Sequence, residues 1–194
     1  MTWLNLLAAF LTLAYLPIPF YWLVLHHFTH VWRGRHRAAL WTAVVVPWGI
    51  GGLFVWTFAG QFFAAQSKPV WAIAAGILLV GLDFIILHRV HREMGTERLV
   101  GHAELTGTGE LNTKGLYSLV RHPRYSAMLA GMLGVCLMAG TRLLWFTVAV
   151  WWLVVLLSIW LEERELVRRF GETYVRYRAR VPAFLPIRLR PRDE

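Results

Sequence analysis

From Ala38 to Phe63 the chain carries no charged residue at all. A stretch of that length without charge is long enough to cross a bilayer as a helix, which needs roughly 20 mostly apolar residues. Apolar residues make up 57% of the 194-residue chain, yet its formal net charge is +9. Both hold because charge and apolar surface are segregated along the sequence. The mean hydropathy of +0.49 is too high for an ordinary soluble domain.

The same reading gives further apolar segments at Trp3–Leu25, Val70–His88, Tyr125–Ala139 and Leu143–Leu161. Pro17 and Pro19 interrupt the first, and each removes a backbone donor, so a kink or break is expected there, with neighbouring helices satisfying the freed carbonyls. Gly49, Gly51 and Gly52 offer the second span a face for close helix packing. The fourth segment is short and joins the fifth through Gly140-Thr141-Arg142, which reads as a helical hairpin. Beyond Glu162 the chain is charged and amphipathic, with Val167, Phe170, Tyr174 and Tyr177 on one stripe and Val181-Pro182 as the stop. The expected fold is all-α: a polytopic membrane bundle of about five transmembrane helices with a C-terminal cytoplasmic amphipathic helix. It forms a single membrane domain over 1–194, divided into N-terminal spans (1–88) and a C-terminal half (89–194). No charged n-region precedes the first segment, which is therefore expected to remain in the mature protein. The lone Cys136 rules out an intramolecular disulfide, and no zinc-ligand spacing is present, so no metal is expected.

With five spans, eighteen of the twenty Lys and Arg residues fall on one side of the membrane, and only Lys68 and Arg142 on the other. By the positive-inside rule this puts the N-terminus outside and the C-terminus in the cytoplasm of a bacterial-type inner membrane. The basic tail is suited to anionic headgroups. Because the basic residues flank apolar spans, nucleic acid is not an expected partner. Trp3, Trp22, Trp71, Trp145 and Trp160 near the span ends read as interfacial anchors.

Two polar clusters lie at the cytoplasmic mouth of the predicted hairpin. One runs from Gly115 through Tyr117 to Arg121-His122-Pro123-Arg124-Tyr125. The other is Glu162-Glu163-Arg164-Glu165, followed by Phe170-Gly171-Glu172-Thr173-Tyr174 and Tyr177. Each has a structural explanation. Pro123 suits the first position of a helix with His122 near its cap, and the glutamates could pair with Arg168 and Arg169. Two adjacent carboxylates directly after an apolar span are costly, however, and mark a functional site by default.

The order Gly-x-Tyr, Arg-His-Pro-x-Tyr, Glu-Glu, Phe-Gly-x-x-Tyr-x-x-Tyr and Val-Pro resembles the isoprenylcysteine carboxyl methyltransferase and phospholipid N-methyltransferase superfamily of integral membrane enzymes. It covers roughly residues 101–186. The resemblance implies S-adenosylmethionine as cofactor. It implies cofactor contacts from His102, Gly109, Glu110, Leu111, Asn112, Tyr117, His122, Pro123, Arg124, Tyr125 and Glu162. Ser158 stands where the isoprenylcysteine enzymes look to have a substrate-facing arginine. The implied activity is methyl transfer to a lipophilic acceptor, whether carboxylate, amine or thiol. Arg121 or His122 would face the ligand carboxylate or the acceptor, and His122 or Glu163 would take a proton where the acceptor must lose one. A membrane sterol-type reductase using NADPH and a non-enzymatic small membrane protein are the alternatives. The oligomeric state is left open.

Overall fold

The computed structural model describes residues 3–27, 37–63, 67–94 and 110–187. All regular structure among them is helical: α1 (Trp3–Tyr15), α2 (Ile18–His27), α3 (Arg37–Phe62), α4 (Val70–Met94), a 3-10 turn (Gly115–Ser118), α5 (Pro123–Ala139), α6 (Arg142–Phe170) and α7 (Glu172–Arg180). Four segments are long and apolar enough to cross a membrane: Trp3–Leu23, Val45–Phe62, Val70–Met94 and Arg142–Phe170. At 17 residues, α5 is shorter, about 25 Å. It lies inside the bundle and buries Met128, Met132, Val135 and Cys136 almost completely. One apolar core draws on all helices from α1 to α6.

The prolines break the first segment into α1 and α2, and the consequences are visible in hydrogen bonds. Pro19 has no N–H to return to the Tyr15 carbonyl. That oxygen instead accepts the indole N–H of Trp151 on α6, at 3.2 Å. Ser158, one helical face along, donates to the Pro19 carbonyl at 3.0 Å and is completely buried. Ser158 thus ties α6 to α2 and is sealed between them.

The tightest helix contact is between α4 and α5. A Cβ on Gly134 would lie 2.6 Å from the Gly76 carbonyl, and one on Gly76 would lie 2.7 Å from that of Gly134. On α3, Gly51 receives the ring of Pro17 and Gly52 lies near Leu13, whereas Gly49 faces open space. Asp83, in the middle of α4, is fully buried and accepts the Tyr15 hydroxyl at 2.6 Å. Gly131 leaves the room for its carboxylate.

Two helices outrun their apolar stretches. α4 continues past His88 to Met94, and α6 past Leu161 to Phe170. The polar extensions need no apolar neighbour because their backbone bonds are made within the helix. Gly171, at φ +54°, then divides the charged C-terminal segment, and α7 starts afresh. Of the tryptophans expected at interfaces, Trp3, Trp71, Trp145 and Trp160 are exposed, but Trp22 is buried, and the Arg124 guanidinium lies 5.3 Å from its ring centre.

The ends of the bundle are distinct. At one, Asn5 bonds the Phe63 carbonyl, Thr141 the Gln61 carbonyl and Lys68 the Gly140 carbonyl. At the other meet the end of α4, the 3-10 turn, the start of α5, the end of α6 and α7.

Candidate active site

The 3-10 turn is held from two sides. Gly115 has φ +60°, and the Glu93 carboxylate fills the place of its missing side chain. Glu93 also accepts the Leu116 N–H at 3.0 Å. The Tyr117 hydroxyl donates to the Met94 sulfur at 2.6 Å, and the Tyr177 hydroxyl on α7 donates to the Tyr117 carbonyl at 2.6 Å. The end of α4 and α7 therefore fix where Tyr117 sits.

Arg121 and His122 run beside the chain that leaves α7. Their backbone N–H groups donate to the Pro182 and Ala183 carbonyls at 2.8 and 3.0 Å. Side chains complete the junction. Arg121 donates through Nε and NH2 to Glu163 Oε1, at 2.9 and 2.8 Å, and through NH1 to the Arg178 and Val181 carbonyls. His122 Nε2 lies 3.0 Å from the same Glu163 oxygen, while Arg178 approaches the other oxygen at 3.7 Å. A carboxylate oxygen facing an imidazole nitrogen is an acceptor, so Nε2 carries the hydrogen and Nδ1 is the ring's acceptor in the neutral form. His122 occupies the N-cap position of α5, with Pro123 after it, but its side chain makes no capping bond. Its ring goes to α6 instead.

Beside this junction is a cleft open to solvent, enclosing about 90 Å³. Of the residues singled out from sequence, Glu110, Leu111, Asn112, Tyr117, Arg121, His122 and Glu162 line it. Leu166 and Phe170 of α6 with Tyr174 and Tyr177 of α7 supply most of the remaining wall, along with Met94 and Arg169. These were missed as contacts, although the amphipathic stripe had already grouped Phe170, Tyr174 and Tyr177. Glu163 is adjacent to the cleft but does not line it. Pro123, Arg124 and Tyr125 do not line it either. Once α5 starts, each residue turns about 100° from the last. Tyr125 is carried into the core and Arg124 to a separate cavity bordered by α4. His102 and Gly109 lie outside the described residues.

The three cleft phenols are held neutral. Burial, and then the neighbouring Glu162 charge, push Tyr117 well above the ordinary value of 10.0, against the pull of Arg124. Burial and the charges of Glu163 and Glu162 do the same to Tyr174. Burial raises Tyr177 to about 12, opposed by Arg121. A larger groove of about 600 Å³ between α2, α3 and α6 has no charged side chain among its described lining residues. Among the described residues, no cluster of His, Cys, Asp or Glu could hold a metal.

Fold and site together define an integral membrane helical protein with a carboxylate- and aromatic-lined cleft at one end of its bundle. Comparison with known families narrows this. The phospholipid methyltransferase profile matches residues 71–173, more than half of the chain, and the protein belongs to that family. Methanethiol S-methyltransferase 2 of Bradyrhizobium diazoefficiens is 28% identical over 147 residues, covering 75% of this chain and 52% of the relative. Protein-S-isoprenylcysteine O-methyltransferase of Rattus norvegicus is 27% identical over 139 residues, covering 67% and 46%. Methanethiol S-methyltransferase 1 of the same Bradyrhizobium is 33% identical over 121 residues, covering 60% and 40%. The chain thus spans about half the length of the curated relatives it matches. No solved structure matches it.

Proposed function

We propose that this protein transfers a methyl group from S-adenosylmethionine to a lipophilic acceptor at the cytoplasmic face of a bacterial-type inner membrane. The observation that carries the reading is the cleft beside Glu162. Its lining matches the chemistry of a sulfonium nucleoside: carboxylates at Glu162 and Glu110 for an ammonium or ribose diol, an amide at Asn112, and the rings of Tyr117, Phe170, Tyr174 and Tyr177. Aromatic faces attract a cation, and phenols kept neutral add hydrogen-bonding groups without extra charge. When bound, the cofactor supplies an electrophilic methyl group; displacement from sulfur requires no metal. The protein supplies alignment, worth roughly 7–11 kcal/mol in well-oriented reactions.

The geometry supports different parts for the three residues given catalytic roles above. The Arg121 side chain has three hydrogen bonds to protein groups and an ion pair with Glu163, so it acts as a clamp that joins the start of α5 to α6, α7 and the chain after it. Glu163 already receives Arg121 and His122 on one oxygen, which makes it a poor proton acceptor and a positioning residue for the imidazole. His122 lines the cleft with Nδ1 available in its neutral form, and would take the proton of an amine or thiol acceptor. A carboxylate acceptor would need no such step. The positive-inside imbalance supports a cytoplasmic site and contact of the basic tail with anionic headgroups.

The test is thermal stabilisation of the detergent-solubilised protein. S-adenosylmethionine and S-adenosylhomocysteine should raise the melting temperature, and NADPH should not; a ligand at 100 times its Kd adds about 2.7 kcal/mol. Glu162→Ala should weaken cofactor binding tenfold or more. Unchanged affinity by calorimetry would remove Glu162 from the site, and stabilisation by NADPH alone would replace the reading with a reductase.

A further inference from the structure

Three phenols line the cleft, and two of them have settled hydroxyls. Tyr117 donates to the Met94 sulfur and Tyr177 to the Tyr117 carbonyl. Tyr174 differs. It is 1% exposed, and its hydroxyl is buried without a hydrogen bond of ordinary length and angle. Buried polar groups are almost always paired, because one left unmet loses its hydration with nothing in exchange. An unmet hydroxyl in the wall of a cleft points to a ligand group that completes it.

Local structure accounts for the ring but not for the oxygen. α7 starts afresh after Gly171, and Tyr174 falls in its first turn, its N–H donating to the Gly171 carbonyl at 3.1 Å. The ring packs against that of Tyr177, with centroids 5.9 Å apart and planes tilted by 54°. A phenylalanine would serve that packing equally well.

Charge decides what kind of group the oxygen would meet. After burial, the main influences on the Tyr174 phenol are the Glu163 and Glu162 carboxylates, ahead of Arg121. Glu163 is close enough to act on the hydroxyl, but its Oε1 already receives Arg121 and His122, and Arg178 approaches its Oε2. Glu162 lines the cleft itself. Two neighbouring anions turn a hydroxyl so that its hydrogen faces them and its lone pairs face away. The cleft therefore presents a neutral acceptor beside a carboxylate. A cationic donor fits that pair, giving one N–H to the phenol oxygen while Glu162 balances its charge.

We infer that Tyr174 recognises the amino-acid end of the cofactor, its hydroxyl oxygen accepting a hydrogen bond from the ligand's ammonium beside Glu162. The assignment rests on the S-adenosylmethionine reading, and it places the amino-acid end of the ligand at the α6–α7 junction.

S-adenosylhomocysteine isolates the contact, because its sulfur is uncharged and the ammonium is its only cationic group. Calorimetry on the full chain in detergent compares it with the deaminated analogue, in which hydrogen replaces the ammonium. Hydrogen bonds to charged groups are the strong ones, so the parent should favour S-adenosylhomocysteine by about tenfold or more. Tyr174→Phe should weaken S-adenosylhomocysteine by about tenfold and leave the analogue within about twofold of its affinity for the parent. Without ligand, the variant should melt at the parent's temperature or above it, since the ring still packs and an unmet hydroxyl is gone. Equal losses for both ligands, or no preference for S-adenosylhomocysteine in the parent, overturn the inference. A lower melting temperature for the ligand-free variant, or its failure to fold, also overturns it, because the hydroxyl then has a structural partner. If S-adenosylhomocysteine does not bind the parent, the cofactor reading fails and this inference with it. If it binds the parent and Tyr174→Phe alike, the Tyr174 assignment alone fails.

Discussion

Replacing Glu163 by alanine removes the carboxylate on which Arg121 and His122 converge. Side-chain exposure is 15% for Glu163, 13% for Arg121 and 3% for His122, so the loss would leave a largely buried guanidinium with two unpaired N–H groups. Breaking a buried ion pair from one side destabilises by roughly 3–5 kcal/mol. Partial water access puts this site at the lower end, about 3 kcal/mol. For a chain of this size that corresponds to a fall in melting temperature of roughly 6–12 °C, at 2–4 °C per kcal/mol. Glu163→Gln keeps an acceptor oxygen and should lose about half as much. Glu162→Ala, one residue away and facing the cleft, should stay within about 0.5 kcal/mol of the parent and lose ligand affinity instead. The assay is a melt of each detergent-solubilised variant, with Arg121→Ala and the Arg121→Ala/Glu163→Ala pair completing a cycle. Additive losses in that cycle, or a melting temperature for Glu163→Ala within 2 °C of the parent, would refute the view that Glu163 is an anchor.

Gly134→Ala should destabilise by about 1–3 kcal/mol, because its Cβ meets a backbone carbonyl on α4 that cannot move without separating the helices. Gly49→Ala, with nothing within 4 Å, should be neutral or slightly stabilising, and paired thermal melts distinguish them. Tyr177 is raised from 10.0 to about 12 in the folded protein. Its contribution to stability is fully present below pH 10, where the unfolded chain also keeps the proton, and is lost as pH rises through 12. Difference absorbance of the parent minus Tyr177→Phe should therefore show no phenolate appearing near pH 10; a midpoint there would contradict the burial.

The membrane bundle was legible from the sequence because lipid enforces a simple rule. Backbone polar groups must be satisfied within each span, so length and charge segregation suffice to locate α3, α4 and α6. The break at Pro17 and Pro19 followed from a missing donor. That Trp151 would be the group to satisfy the Tyr15 carbonyl did not, since it depends on where α6 packs. Asp83 and its partner Tyr15 lie 68 residues apart, so their pairing depends on where α1 packs against α4. Gly76 and Gly134 were not singled out, because small residues become a contact only when two helices cross at their positions.

The site divides in the same way. Sequence by itself determined that Arg121-His122 and Glu162-Glu163 belong to one end of a hairpin, because a short turn returns the chain to its starting level. It also supplied the carboxylate and aromatic residue types that line the cleft. Only the tertiary structure decided which carboxylate faces the cleft and which is held by Arg121 and His122. A 100° rotation per residue separates Glu162 from Glu163, and the same rotation takes Arg124 away from the cleft that His122 lines to a separate cavity. Motif spacing fixes neighbours along the chain, whereas helix phase relative to packed neighbours fixes which way each side chain looks.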